Sequence, residues 1–335
     1  MNFRKAAGFA LTYSPSQIVN RLKAEVYLRN SVVHYLPTNL SIDLTTACNL
    51  NCPWCSTKRY RSENSARHLS LAGGKKLLDK FKLATFVAFC GAGETFLNQD
   101  LFAMARYAYK LKMKVLIATN GTLLSSRMDE VLHSNIDILE ISLKSTCEAE
   151  FRQVFGTKKT SLTSITSGIK FLARHPKRPW LRLSYVCQRD SVSNIPRVLE
   201  IANQCGVDEV CLYNMIPSPE LRNESKCFFE NDREWVLKIL DSCVIESNKI
   251  VVRRPGFYPR NSLSRKCNSP FISLRIGPDG GVSGCPRAII PSLKNGNAFL
   301  DDDVFNSEHF QKLRAESLDN KLNLRYECLY CENRC

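Results

Sequence analysis

The chain has 335 residues, of which 44% are hydrophobic and 24% charged, a composition that excludes wholesale disorder and low-complexity repeats and suits one large domain, or one domain with a smaller appendage. Lys and Arg number 47 against 32 Asp and Glu, a net charge of +15. No apolar run approaches the roughly 20 residues that span a bilayer, and Arg4 and Lys5 are followed by no signal-peptide core, so no membrane partner is expected and the expected compartment is the cytoplasm.

In chain order, residues 1–38 form an N-terminal extension. NLSIDLTT, from Asn39, alternates Leu40, Ile42 and Leu44 with polar residues and predicts a strand. A helix around LAGGKKLLDKF, a strand over ATFVAFC and a helix capped by Asp100, with Leu101, Met104, Ala105 and Ala108 on one face, come next. KVLIATNG predicts a strand ending in a turn, SSRMDEVLHS a helix, IDILEISLKS a strand, SITSGIKFLARH a helix and LRLSYVCQ a strand. SNIPRVLEIANQCG predicts a helix with Ser193 as cap, Pro196 in its first turn and Gly206 after its end. DEVCLYNMIP is the sixth strand. Strand and helix alternate throughout residues 39–217, which predicts an α/β fold with a mainly parallel sheet.

Parallel strands buried on both faces read as continuous apolar runs. Here Leu139, Ile141 and Leu143 share one face, opposite Glu140, Ser142 and Lys144. Leu181, Leu183, Tyr185 and Cys187 oppose Arg182, Ser184 and Gln188. Helices cover the apolar face, and the polar face must look into a wet or ligand-filled space. A sheet curved into an open barrel with a polar lumen satisfies this; a flat sheet with exposed edge strands is the plainer alternative. After Pro217 the character changes. NDREWVLKILDSCVIE predicts an amphipathic helix, and FISLRIGPDGGVSGC a hairpin turning at Pro278-Asp279-Gly280-Gly281. Residues 218–335 are expected to form a linker helix and a second, smaller cysteine-rich domain.

The fifteen cysteines are an odd number without a secretory signal, which argues for metal or redox chemistry over a disulfide framework. Seven are scattered singly (Cys90, Cys147, Cys187, Cys205, Cys211, Cys227, Cys243) and are expected mostly as small buried hydrophobes. Cys48, Cys52 and Cys55 form CX3CX2C directly after the first strand. Structural zinc commonly takes four protein ligands in two pairs, whereas three thiolates in one short loop suit a cubane iron–sulfur cluster with one open iron.

The CX3CX2C loop, with Trp54 at its aromatic position, resembles the hallmark of the radical S-adenosylmethionine (radical SAM) superfamily. Gly91-Ala92-Gly93-Glu94-Thr95 after the second strand is similar to the family's GGGEP, with Ala for the middle Gly and Thr for Pro. Thr119-Asn120-Gly121-Thr122 resembles its TNG turn, and Ser142 matches a position near the ribose of SAM. Lys144 stands where many relatives carry Asp. The resemblance covers residues from about 40 to 217 and implies a partial (β/α)6 barrel. It implies a catalytic [4Fe–4S] cluster on Cys48, Cys52 and Cys55, with SAM on the open iron. Glu94 would hold the methionine amino group, and Trp54, Gly91, Gly93, Asn120, Ser142, Lys144 and Gln188 complete the expected cofactor site. The implied activity is cleavage of SAM to a 5′-deoxyadenosyl radical that abstracts a substrate hydrogen.

Cys267 and Cys285 form a spaced pair, and Cys328, Cys331 and Cys335 close the chain. From spacing alone a zinc ribbon and an iron–sulfur site remain equal alternatives. Behind a radical SAM core the layout resembles the SPASM/twitch domains, which hold auxiliary [4Fe–4S] clusters. That implies one auxiliary cluster on Cys267, Cys285, Cys328 and Cys331, with Cys335 as a spare or a substitute for Cys331. The expected reaction is dehydrogenation of a hydroxyl-bearing small molecule, as in the related aminocyclitol dehydrogenases, with the auxiliary cluster taking the electron. The alternative is a peptide-modifying maturase. About forty residues precede the first strand, short for the leader-peptide domain such maturases often carry, which tilts the expectation to a small molecule. An epimerase would need a thiol hydrogen donor, for which Cys187, Cys211 and Cys227 are the candidates. A non-catalytic zinc protein is the remote alternative.

Basic residues concentrate in Lys58–Lys82, Lys170–Arg189 and Lys249–Arg275. A solvated surface explains them; so would an anionic substrate, an acidic peptide or an acidic electron donor of the flavodoxin or ferredoxin type. Nucleic acid is not expected as a partner, because no stacking-aromatic or groove-reading motif accompanies the charge.

Overall fold

The computed structural model describes residues 12–26, 30–55, 57–58, 67–155, 161–217, 221–243, 250–258, 267–286, 291–322, 328 and 330–331. Its strands are β1 (Asn39–Asp43), β2 (Phe86–Cys90), β3 (Lys114–Thr119), β4 (Ile138–Leu143), β5 (Trp180–Cys187), β6 (Glu209–Asn214), β7 (Val251–Arg253), β8 (Ser273–Ile276), β9 (Gly281–Ser283) and β10 (Ser292–Asn297). Its α-helices are α1 (Pro15–Val26), α2 (Leu71–Lys80), α3 (Leu101–Lys110), α4 (Met128–Leu132), α5 (Glu148–Phe155), α6 (Leu162–Ala173), α7 (Ile195–Cys205), α8 (Arg233–Ser242), α9 (Ser269–Ile272) and α10 (Glu308–Leu318).

Strands β1 to β6 lie side by side in sequence order, every neighbouring pair parallel, with helices in the crossovers. The alternation read from the sequence is the burial pattern of the sheet. In β4, Leu139, Ile141 and Leu143 are buried, while Glu140 and Ser142 are only half-buried on the opposite face. The apolar face meets helices such as α7, whose Ile195, Val198, Leu199, Ile201, Ala202 and Cys205 are buried. Each fully buried Leu, Ile or Val contributes about 1.5–3 kcal/mol, so this shared layer dominates the stability of the barrel wall.

Helix α7 has Pro196 in its first turn and ends at Gly206, whose φ of 70° is the left-handed conformation that glycine adopts without strain. Two caps differ from expectation. Ser193 falls inside a 3-10 turn (Arg189–Asn194), and Asn194 takes the cap position of α7. Asp100 does precede α3 but makes no capping bond there; its Oδ2 instead accepts the Leu71 N–H at the start of α2, at 2.8 Å. Both cap positions have helical backbone angles, whereas a side-chain cap needs an extended one.

After residue 217 the chain returns to both edges of the same sheet. β7 pairs parallel with β6, and β8 pairs parallel with β1 on the other side, Ser41 opposite Arg275. The expected hairpin is formed by β8 and β9, antiparallel, with Gly280 at φ 88° in its turn. β10 adds to β9, and the sheet of ten strands runs β10-β9-β8-β1-β2-β3-β4-β5-β6-β7. The C-terminal helix α10 is fastened to this body by Arg314, fully buried, which donates to the carbonyls of Ser31, Pro270 and Phe305 and to Asn306 Oδ1. No helix among the described residues is long and apolar enough to cross a membrane.

Candidate active site

The CX3CX2C loop starts where β1 ends, and the Gly91–Glu94 stretch starts where β2 ends. Adjacent parallel strands deliver both to the same end of the sheet. There Gly93 N–H donates to Thr45 O at 2.9 Å and Glu94 N–H to Ala47 O at 2.7 Å. The backbones approach so closely that a Cβ on Gly93 would stand 1.9 Å from Ala47 O; only glycine fits. This contact sets the residue before Cys48. Beyond Cys48, Asn49 is held by the TNG turn: Asn120 Nδ2 donates to Asn49 Oδ1 at 2.9 Å and Asn49 Nδ2 to Thr122 Oγ1 at 2.8 Å. Gly121, at φ 76°, makes that turn possible. At the far end of the loop Thr57 Oγ1 donates to Ala92 O at 2.7 Å. The three cysteines thus sit on a loop anchored at three places, each half-buried.

Glu94 is buried at 2% exposure. Its Oε1 accepts from Phe96 N–H at 3.1 Å and from the Thr119 hydroxyl, and its Oε2 from Asn120 N–H at 2.7 Å. Burial pushes its pKa up, and these donors together with the charge of Lys144 act against that rise. The carboxylate keeps acceptor capacity for one more donor.

All the residues read as catalytic or cofactor-binding from the sequence line one cavity of about 850 Å³: the three cysteines, Trp54, Gly91, Gly93, Glu94, Asn120, Ser142, Lys144 and Gln188. Trp54 is at its rim, 37% exposed, with Lys226 Nζ 4.9 Å above its ring; Lys226 also pairs with Asp190 at 2.5 Å. Ser142 and Ser184, register partners on β4 and β5, are 3.3 Å apart by their hydroxyls. Two residues earlier on the same face of these strands runs a charged row. Arg182 pairs with Glu209 at 2.8 Å and Glu140 at 3.2 Å, and Glu209 also binds Arg253 and Trp180 Nε1. The polar lumen expected from the strand alternation is this row together with the cavity.

Several cavity residues were not singled out by the sequence reading. Cys90, at the end of β2, lines the cavity with its thiol 3.5 Å from Asp43 Oδ1, and burial and then that carboxylate raise its pKa. Asp43 is in turn held by Arg275 at 3.0 Å. The visible signal for Asp43 was the polar face of β1; nothing local marks Cys90 or Arg275, which arrive from other strands. Cys187, Cys211 and Cys227, the hydrogen-donor candidates, are buried and none lines the cavity. Of the scattered cysteines expected as buried hydrophobes, Cys187, Cys205, Cys211 and Cys227 are buried, Cys90 and Cys243 only partly, and Cys147 is exposed, since it sits in the β4–α5 connection.

The cysteines of the second group sit on separate segments. Cys267 N–H donates to Ser317 Oγ on α10 at 3.0 Å. Cys285 follows β9, and the next residue, Pro286, lines the cavity. Between Cys328 and Cys331, Tyr330 packs edge-on against Tyr258 and Phe229, with ring centroids 5.7 and 6.4 Å apart. Tyr258 is fully buried and donates its hydroxyl proton to the carbonyl of Met215, another cavity residue. Cys335 lies outside the described residues.

Residues 42–224 match the Radical SAM superfamily. The chain belongs to this superfamily. Among curated radical SAM relatives, the AdoMet-dependent heme synthase of Methanosarcina barkeri is 26% identical over 325 residues, covering 88% of each chain. The probable GTP 3′,8-cyclase of Sulfurisphaera tokodaii is 26% identical over 263 residues, 74% of this chain and 80% of that one. The PqqA peptide cyclase of Gluconobacter oxydans is 26% identical over 176 residues, 52% of this chain and 48% of that one. Among solved structures, Streptococcus suis SuiB bound to S-adenosylmethionine superposes with a TM-score of 0.70 over 94% of this chain and 76% of that one, at 16% identity, a likeness of fold. The protein is therefore a radical SAM enzyme with a partial-barrel fold, and membership implies a [4Fe–4S] cluster and SAM. The residues present fit both groups: a set of three thiols and no competing fourth ligand in one loop, beside a buried carboxylate with acceptor capacity to spare and a cavity of sufficient size. The zinc-protein alternative is set aside by that membership.

Proposed function

We propose that this radical SAM enzyme oxidises a small biosynthetic molecule, with Cys48, Cys52 and Cys55 holding the catalytic cluster and Cys267, Cys285, Cys328 and Cys331 holding one auxiliary cluster in a SPASM/twitch-type region. The bound cluster and SAM supply a 5′-deoxyadenosyl radical that takes a hydrogen atom from the substrate. The chain's own residues do the positioning. Glu94 orients the methionine ammonium through a charge-assisted bond, Asn120 and Gly121 hold the cysteine loop in register, and Ser142 and Ser184 offer hydroxyls to the sugar of the cofactor. The helix-covered barrel wall excludes water from the radical's path.

One observation carries the oxidative reading. Arg275, in the first strand of the hairpin, and Pro286, which follows Cys285, line the same cavity as the three loop cysteines. On this reading a substrate in the cavity has the loop cysteines on one side and, on the other, Pro286, the residue bonded to Cys285. The relatives matched over most of both chains support a small substrate, since their names are those of a heme synthase and a GTP cyclase. Peptide modification is the second reading, favoured by the PqqA peptide cyclase, matched over about half of each chain. A flavodoxin- or ferredoxin-type donor would deliver the electrons.

The test is iron content beside two product yields. The reconstituted protein should hold about eight irons per chain. Changing Cys48, Cys52 and Cys55 together to Ala should remove about half of them and all 5′-deoxyadenosine. Cys328→Ala should keep SAM cleavage but lose oxidised product. Full yield of oxidised product from a Cys328→Ala protein lacking the second cluster would remove the electron-acceptor role.

A further inference from the structure

Arg275 and Lys144 are the two cationic side chains among the described residues lining the cavity. Arg275 is held in one orientation. Its Nε and Nη2 donate to Asp43 Oδ1 at 3.2 and 3.1 Å, and Nη2 also to Oδ2 at 3.0 Å. Residues Asp43 and Arg275 are 0% and 8% exposed. The remaining arm, Nη1, donates to the carbonyl of Pro286 at 3.3 Å, the residue bonded to Cys285. Arg275 is also the register partner of Ser283 on β9, whose hydroxyl accepts the Cys285 N–H at 3.3 Å. The carboxylate end of the pair sits on β1, which feeds the Cys48 loop, and faces Cys90. The pair is thus a fixed dipole, its carboxylate at Cys90 and its guanidinium toward Pro286 and Cys285.

Buried ion pairs seldom add stability over apolar residues of the same volume, so the pair calls for a reason other than folding. An iron–sulfur cluster gains a negative charge on reduction, and its potential follows the charges and hydrogen bonds around its sulfurs. In a buried site those charges act with little screening. We propose that Arg275, oriented by Asp43, raises the reduction potential of the auxiliary cluster at Cys285 and so makes it the acceptor of the substrate's electron. This rests on the assignment of Cys285 as an auxiliary ligand. The balance is simple: the substrate radical loses one electron, the auxiliary cluster would be reduced by one, the substrate's hydroxyl proton goes to water, and the electron returns to the oxidised form of the flavodoxin- or ferredoxin-type donor, which gave one electron to start the turnover. Arg275 is a positioning residue in this scheme and touches no reacting atom.

The experiment is an anaerobic redox titration of the reconstituted protein, with both clusters followed by electron paramagnetic resonance. Asp43→Asn combined with Arg275→Gln removes both charges without leaving an orphan. The auxiliary cluster's equilibrium constant for reduction should fall about tenfold, a drop of ~59 mV for one electron, with iron content unchanged. Arg275→Gln alone leaves Asp43 negative and should lower it further, which serves if the double variant does not fold; Arg275→Lys should restore most of the shift. An unchanged auxiliary potential in a variant with its full iron overturns the role of Arg275 and leaves the two-cluster reading standing. Wild-type protein with about four irons per chain overturns both.

Discussion

Replacing Glu94 by glutamine keeps the shape of the side chain and removes its charge. The wild-type carboxylate receives three donors, two of them backbone N–H groups that cannot turn away. In the glutamine variant one oxygen becomes an NH2. Placed at Oε2 it faces the Asn120 N–H; placed at Oε1 it faces the Phe96 N–H, while the Thr119 hydroxyl can rotate to accept. Either orientation leaves one buried backbone donor unpaired, at a cost of about 1–3 kcal/mol, and the methionine ammonium loses a charge-assisted bond worth about 1.5–3 kcal/mol. The second figure is a loss of SAM affinity of about 10- to 150-fold. Alanine would orphan all three donors and confuse folding with binding, so glutamine is the cleaner change. Equilibrium dialysis of SAM against reconstituted protein, with iron measured in parallel, reads it directly. A dissociation constant within about twofold of wild type, in a variant with full iron, would refute the assignment of Glu94 to the ammonium. The pH dependence is a second check. Burial raises the Glu94 pKa, so the folded protein without ligand takes up this proton more readily than the unfolded chain, and the group's destabilising effect disappears as pH falls through the raised value. SAM binding needs the ionised form and runs the opposite way: affinity should decline with falling pH at a value above the ordinary glutamate range, about 4.3. The glutamine variant should lack that decline.

The other outcomes follow from contacts of the same kind. Gly93→Ala places a Cβ 1.9 Å from Ala47 O, which must push the cysteine loop off its anchor; iron retention at the catalytic cluster should fall sharply while the far-UV circular dichroism of the barrel persists. Arg182→Met leaves Glu140 without its cation, although Glu209 keeps Arg253; a loss of about 1–3 kcal/mol is expected for this half-buried pair, between the exposed and the fully buried case, measured by chemical denaturation at neutral pH and recovered in part by adding Glu140→Gln. Cys335→Ala should retain the iron and product yield of wild type, because four other thiols complete the auxiliary set; a fall in iron equal to that of Cys331→Ala would make Cys335 the ligand instead.

The strands, their alternation and the CX3CX2C loop were legible in the chain because each depends on neighbours in sequence: period-two patterning marks the two faces of a strand, and three thiols on one loop need no other segment. The order of β1 to β6 followed from that pattern, since each short crossover brings the next strand alongside the last. The partners that complete the site were not legible. Arg275 reaches Asp43 across 232 positions of sequence, and it does so because β8 pairs with the free edge of β1, a choice made by hydrogen-bonding groups that any strand could have offered. Tyr330 packs on Tyr258 and Phe229 for the same kind of reason, apolar area buried between segments that no local spacing relates. Local pattern determined the barrel and its cysteine loop; which distant side chains face the cavity was decided only when the last strands closed on the sheet's two edges, because an edge is a property of the assembled sheet and not of any residue along it.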